Sequence, residues 1–147
     1  MLLRFTKMHG LGNDFVVIES ITQGLRIDER LVRLLADRHR GIGCDQVLLL
    51  EPPGDPEVDF RYRMFNQDGT EAGACGNGAR CIAKFIRDKR LCAKRRAVVE
   101  TLFGRLTLDL GRSNVFAVTM GIPCLEPAEI PFEAPSRAEV YTLEAGG

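Results

Sequence analysis

Cys75 stands inside the run Asn66-Gln67-Asp68-Gly69-Thr70-Glu71-Ala72-Gly73-Ala74-Cys75-Gly76-Asn77-Gly78-Ala79-Arg80-Cys81, between a glycine-rich turn and what reads as the first turn of a helix. A cysteine there meets free backbone N–H groups and the positive end of a helix dipole, which together favour its thiolate. Such a thiolate can act as nucleophile, redox centre or general base. A bare cysteine is more often a small buried apolar residue, so the setting decides. Gly73, Gly76 and Gly78 strip side chains from the backbone around it, as a ligand carboxylate approaching main-chain N–H groups requires. Glycine in the opening turns of a helix costs roughly 0.5–1 kcal/mol relative to alanine, which a purely structural sequence would avoid.

The remaining candidates are quieter. Cys81 lies on nearly the opposite side of the same helix, beside Ile82 and Phe85, and reads as core. Cys44, Cys92 and Cys124 carry no catalytic context. His39 reads as a partner for a helix C-terminus, and His9 as a loop residue; a Cys/His pair would require one of them to stand near Cys75. Asn13, Gln46, Asn66 and Asn77 each sit beside a glycine or at a strand end. Isolated amides usually serve turns, yet neutral amides can also hold the ammonium and carboxylate of a zwitterion. Gly10-x-Gly12 and Gly41-x-Gly43 lack the third glycine of a dinucleotide fingerprint, because Phe15 and Gln46 occupy those places, and no Walker lysine is present. Neither a nucleotide cofactor nor a metal is expected.

The elements that must position these residues follow from periodicity. Short strands are expected at 3–7 and 14–19 around the loop His9–Asn13, then a helix over 28–40 with Leu31, Leu34 and Leu35 at helical spacing and Asp28 as N-cap. Strands follow at 45–51 and 58–64, a loop at 66–75, and a helix over 76–88 with Ala79, Ile82, Phe85 and Ile86 on one side. Residues 97–102 and 105–110 read as a hairpin about Phe103-Gly104, with further strands near 114–120 and 137–143 separated by a proline-rich connection. Many strands and two helices in no regular βαβ alternation predict an α+β fold with a mainly antiparallel sheet packed on the helix after Cys75.

Bulk properties narrow the function. The 147 residues carry 20 Lys+Arg against 20 Asp+Glu, so no nucleic-acid or membrane partner is indicated. No apolar run approaches the roughly 18 residues of a membrane span. Five cysteines without C-x-x-C spacing fit reduced thiols, and a cytoplasmic location is expected.

Three blocks carry a resemblance: Lys7-Met8-His9-Gly10-Leu11-Gly12-Asn13-Asp14-Phe15, Asp37-Arg38-His39-Arg40-Gly41-Ile42-Gly43-Cys44-Asp45-Gln46, and Phe65 to Gly69 leading into Ala74–Arg80. In order and spacing the chain resembles the diaminopimelate epimerases over essentially its whole length; Cys44 departs from the larger apolar residue frequent there. The resemblance implies a cofactor-independent, two-lobed enzyme that interconverts L,L- and meso-diaminopimelate for lysine and peptidoglycan synthesis. It implies Cys75 as one of two catalytic cysteines, and Asn13, Gln46, Asn66, Gly76 and Asn77 as substrate-binding residues.

The family is nearly twice as long, and no other cysteine here has the setting of the second catalytic one. Residues 1–122 are therefore expected to form the N-terminal lobe, and 123–147 a linker with the first strands of a second. The alternatives are a non-catalytic lobe that binds ligand or self-associates as a homodimer through strand edges, and an isomerase of the proline racemase or phenazine type. The expected outcome is that the purified 147-residue chain turns over L,L-diaminopimelate slowly or not at all; robust turnover would contradict it.

Overall fold

The computed structural model describes residues 2–111 and 115–143. Its elements run β1 (Thr6–Gly10), β2 (Asn13–Glu19), α1 (Glu29–Ala36), β3 (Gln46–Glu51), β4 (Phe60–Asn66), β5 (Glu71–Ala72), α2 (Gly76–Asp88), β6 (Arg96–Thr101), β7 (Gly104–Asp109) and β8 (Val118–Thr119), followed by a 3-10 turn at Pro127–Glu129. The strands form one sheet in the order β1-β2-β3-β4-β6-β7-β8, with β5 on the free end of β4. Pairing is antiparallel except for β2 with β3 and β4 with β6. Those two parallel pairs need crossovers, which α1 and α2 supply.

Alternation along the strands sorts the core into two layers. Phe15, Val17, Leu48, Leu50, Tyr62, Met64, Val99 and Leu108 face α2, joining Ala79, Ile82, Phe85 and Ile86 in one cluster. Val16, Ile18, Val47, Leu49 and Phe65 face the other way, onto Val32, Leu35 and Ala36 of α1. Strands β2 and β3 are thus buried on both faces and read as continuous apolar runs. Because β1 and β8, at opposite ends of the strand order, both contact α2, the sheet must curl around that helix. The expected α+β class, with a mainly antiparallel sheet wrapped around a central helix, is what forms.

Several expected boundaries move. β1 runs to Gly10 rather than stopping at 7, because Leu11 (φ 55°) and Gly12 (φ 88°) make a two-residue turn that lets pairing continue to Gly10–Asn13. The helix expected over 28–40 keeps its Asp28 cap but ends at Ala36. The Asp37 carboxylate then accepts from the N–H groups of His39 and Arg40, drawing the chain into a turn, so His39 is exposed in a loop and partners no helix end. A methyl group at Gly41 would overlap the Leu34 carbonyl oxygen, which shows how tightly that loop folds back on α1. β5 had no signal in the sequence, and the strand near 114–120 reduces to Val118–Thr119, with Asn114 outside the described residues. Residues 137–143 form no strand; 144–147 lie outside the described residues.

Ile82 is fully buried between α2 and the sheet, whereas Leu34 on α1 is 55% exposed. Ile82→Ala is expected to cost about 2–5 kcal/mol in urea unfolding, and Leu34→Ala no more than about 0.5 kcal/mol.

Candidate active site at the N-terminus of the central helix

Cys75 is the N-cap of α2: its backbone is extended (φ −106°, ψ 154°), and Sγ accepts from the Gly78 N–H at 3.2 Å. The Ala79 N–H goes to the Cys75 carbonyl. Of the first-turn donors, those of Gly76 and Asn77 have no protein acceptor among the described residues, as expected at a helix start. Sulfur and two open N–H groups therefore share one helix end.

Two of the three glycines around Cys75, Gly73 and Gly78, are also required by protein packing. A Cβ on Gly78 would lie 2.5 Å from the Tyr62 hydroxyl oxygen and 3.3 Å from Cys75 Sγ. One on Gly73 would lie 2.5 Å from the ring of Phe103, at the tip of the β6–β7 hairpin, and one on Gly76 would lie 3.3 Å from Met120 Sδ. Tyr62 thus approaches the first turn of the helix closely, and Phe103 the loop before it. Burial, reinforced by Cys75 and Cys81 nearby, holds the Tyr62 phenol above its ordinary range, so it stays neutral.

The amides reach the same region from the sheet. Gln46 opens β3 and pairs in register with Asn66, which closes β4; Asn13 opens β2, the other neighbour of β3. By strand alternation all three side chains share the face of Phe15, Leu48 and Met64, toward α2. The Asn13 amide donates to Asp45 Oδ2 at 3.0 Å, Gln46 Nε2 donates to Asn66 Oδ1 at 3.4 Å, and Asn66 Nδ2 donates to Thr70 Oγ1 at 3.2 Å. Gln46 Oε1 is buried with no partner. Asn77, in the first turn of α2, accepts from Arg80, and its Cβ and carbonyl oxygen would each lie 3.3 Å from a Cβ on Gly10. That close approach ties the helix start to the β1–β2 turn, and so brings Asn77 and Cys75 to the end of the sheet that holds Asn13, Gln46 and Asn66.

Other candidates fall away from this end. His9 alternates with Met8, which packs on the α2 side, so His9 faces outward and makes no pair with Cys75. Cys44 and Cys81 are buried, and burial raises both thiols. Among the described residues no three His, Cys, Asp or Glu side chains gather as a metal site, and no helix is long and apolar enough to cross a membrane. Sequence reasoning missed Tyr62, Phe103 and Arg63. Arg63 pairs with Glu71 at 2.6 Å and pins β5, three residues before Cys75. Their signal was only an unusual density of glycine in the loop they pack against.

Two outcomes follow. In native protein, iodoacetamide is expected to label Cys75 and exposed Cys124 before Cys44 and Cys81, as mapped by mass spectrometry. Gly78→Ala, despite a helix-propensity gain of about 1 kcal/mol, is expected to lower Tm and alter the Cys75 labelling rate, because its methyl displaces Tyr62 or the sulfur.

The diaminopimelate epimerase family matches residues 5–125. A diaminopimelate epimerase of Pseudomonas fluorescens (strain Pf0-1) is 53% identical over all of this chain, which covers 53% of that protein. That of Azotobacter vinelandii is 55% identical over all of this chain, again covering 53% of the relative. Among solved structures, a hydroxyproline epimerase from Agrobacterium vitis superposes with a TM-score of 0.59 at 16% identity, over 72% of this chain and 36% of that one. A methylitaconate-delta-isomerase gives 0.58 at 15% identity, over 76% and 35%; these likenesses concern the fold. The chain spans about half the length of the curated relatives it matches. By sequence match, the chain belongs to the diaminopimelate epimerase family.

Proposed function

We propose that residues 1–122 form the N-terminal lobe of an enzyme that interconverts L,L- and meso-diaminopimelate in the cytoplasm without a cofactor, and that Cys75 is one of its two acid/base groups. The observation that carries this reading is the shared helix end: Cys75 Sγ beside the open N–H groups of Gly76 and Asn77. An α-carboxylate received by those N–H groups brings the α-carbon toward the sulfur. The thiolate then takes the α-proton, and the C–H electron pair delocalises into the carboxylate, whose growing charge the same N–H groups stabilise. Inversion is completed by an acid on the opposite face, which returns a proton to carbon and is supplied by the second lobe. Asn13 Oδ1 and Gln46 Oε1, acceptors on amides that each have one N–H already engaged within the protein, suit an ammonium group of the substrate.

The test joins this chain to the second half of the Pseudomonas fluorescens relative. The hybrid is expected to interconvert the two stereoisomers, and Cys75→Ser to lower turnover by about 10²-fold or more. A folded hybrid whose turnover survives Cys75→Ser would overturn the proposal.

A further inference from the structure

Beside the site lies a charge cluster with no part in the chemistry just described. Asp14, the second residue of β2, and Asp45, immediately before the parallel strand β3, lie side by side and each accepts from the other's backbone: the Asp14 N–H donates to Asp45 Oδ2 at 3.0 Å, and the Asp45 N–H to Asp14 Oδ1 at 2.9 Å. That exchange forces two carboxylates together. The Arg38 guanidinium spans them, with Nη2 2.7 Å from Asp14 Oδ1 and 2.8 Å from Asp45 Oδ1, and Nη1 3.1 Å from Asp14 Oδ2. Lys7 adds a second cation to Asp14 at 2.7 Å, but among the described residues Asp45 pairs with Arg38 alone. The Arg38 contact, opposed by burial and helped by Lys7, keeps Asp14 ionised well below the usual carboxylate range.

Arg38 is held there by its loop. Gly43 has φ 77°, and a Cβ on it would lie 2.8 Å from Arg38 Cα and 2.9 Å from Cγ, so only glycine lets the chain pass under this side chain. Asp45 in turn faces Asn13. A carboxylate can only accept, so Asn13 must turn its NH2 toward Asp45 and its Oδ1 away from it.

We propose that Arg38 is a positioning residue: its planar fork locks Asp45, and through Asp45 fixes the Asn13 amide with its acceptor oxygen presented to the ligand. The consequence for ligand recognition rests on the reading of Asn13 as a substrate contact; the orientation itself does not. A lysine keeps the charge but cannot bridge both carboxylates. An amide with either end free would offer an ammonium group a donor half the time.

The experiment is side-chain amide NMR on the purified 15N-labelled chain, with the Asn13 pair identified by its loss in Asn13→Asp. In the wild type that pair is expected to exchange slowly with solvent. Arg38→Lys and Asp45→Asn are each expected to speed its exchange about tenfold, the loss of one charge-assisted hydrogen bond. Arg40→Ala, which removes a neighbouring cation that among the described residues pairs only with Asp37, is expected to leave it unchanged. A wild-type pair that already exchanges rapidly overturns the proposal whatever the variants do. So does a folded Arg38→Lys or Asp45→Asn with wild-type signals, or an Arg40→Ala that moves them equally. Added meso-diaminopimelate should shift the Asn13 pair in the wild type; if it does not, the substrate reading fails in this chain while the orientation result still decides the role of Arg38.

Discussion

The burial of α2 inside a curled sheet is the constraint on which the rest depends. An apolar helix face of Ala79, Ile82, Phe85 and Ile86 must be covered, and strands from both ends of the sheet close over it. Each large side chain so buried contributes about 1.5–3 kcal/mol, so the helix has little freedom to slide or tilt. Its N-terminus consequently lies at the end of the sheet where β2 and β3 begin and β4 ends. Cys75, Gly76 and Asn77 come with the helix; Asn13, Gln46 and Asn66 come with the strands. A hydrophobic requirement thus assembles a polar site.

Fine positioning is left to close contacts. Tyr62 presses on Gly78, Phe103 on Gly73, and Gly10 on Asn77, each using an absent side chain to set a distance. The amide chain Gln46 to Asn66 to Thr70 spends its donors within the protein, and Gln46 Oε1 is left buried and unpartnered. An acceptor in that state costs stability unless something donates to it.

Much of this was legible in the residues themselves. The helix over 76–88 and its cap were readable because an apolar face begins directly after a glycine-framed cysteine. The amides were readable as a set because each stands beside a glycine or at a strand end. What stayed hidden depends on partners distant in sequence. β5 is two residues long and exists only because β4 has a free edge there. The overlong first helix failed at Asp37, where a side chain competes for backbone N–H groups, a local choice that apolar periodicity does not report. Gly73 and Gly78 were read as openings for a ligand, and they prove to be seats for Phe103 and Tyr62. Arg38, Asp14 and Asp45 gave no sign of a cluster, since nothing in their spacing says that two parallel strands start side by side. The extra strand at 137–143 failed because alternation alone provides no neighbour to pair with.

The central claim is that the end of α2 at Cys75 is where the substrate sits. It is tested most directly by protection: the rate of iodoacetamide labelling at Cys75 in the purified chain, measured with and without meso-diaminopimelate, with Cys124 as internal reference. The account predicts saturable slowing at Cys75 alone. Equal rates at Cys75 with and without ligand, or slowing shared with Cys124, would contradict it.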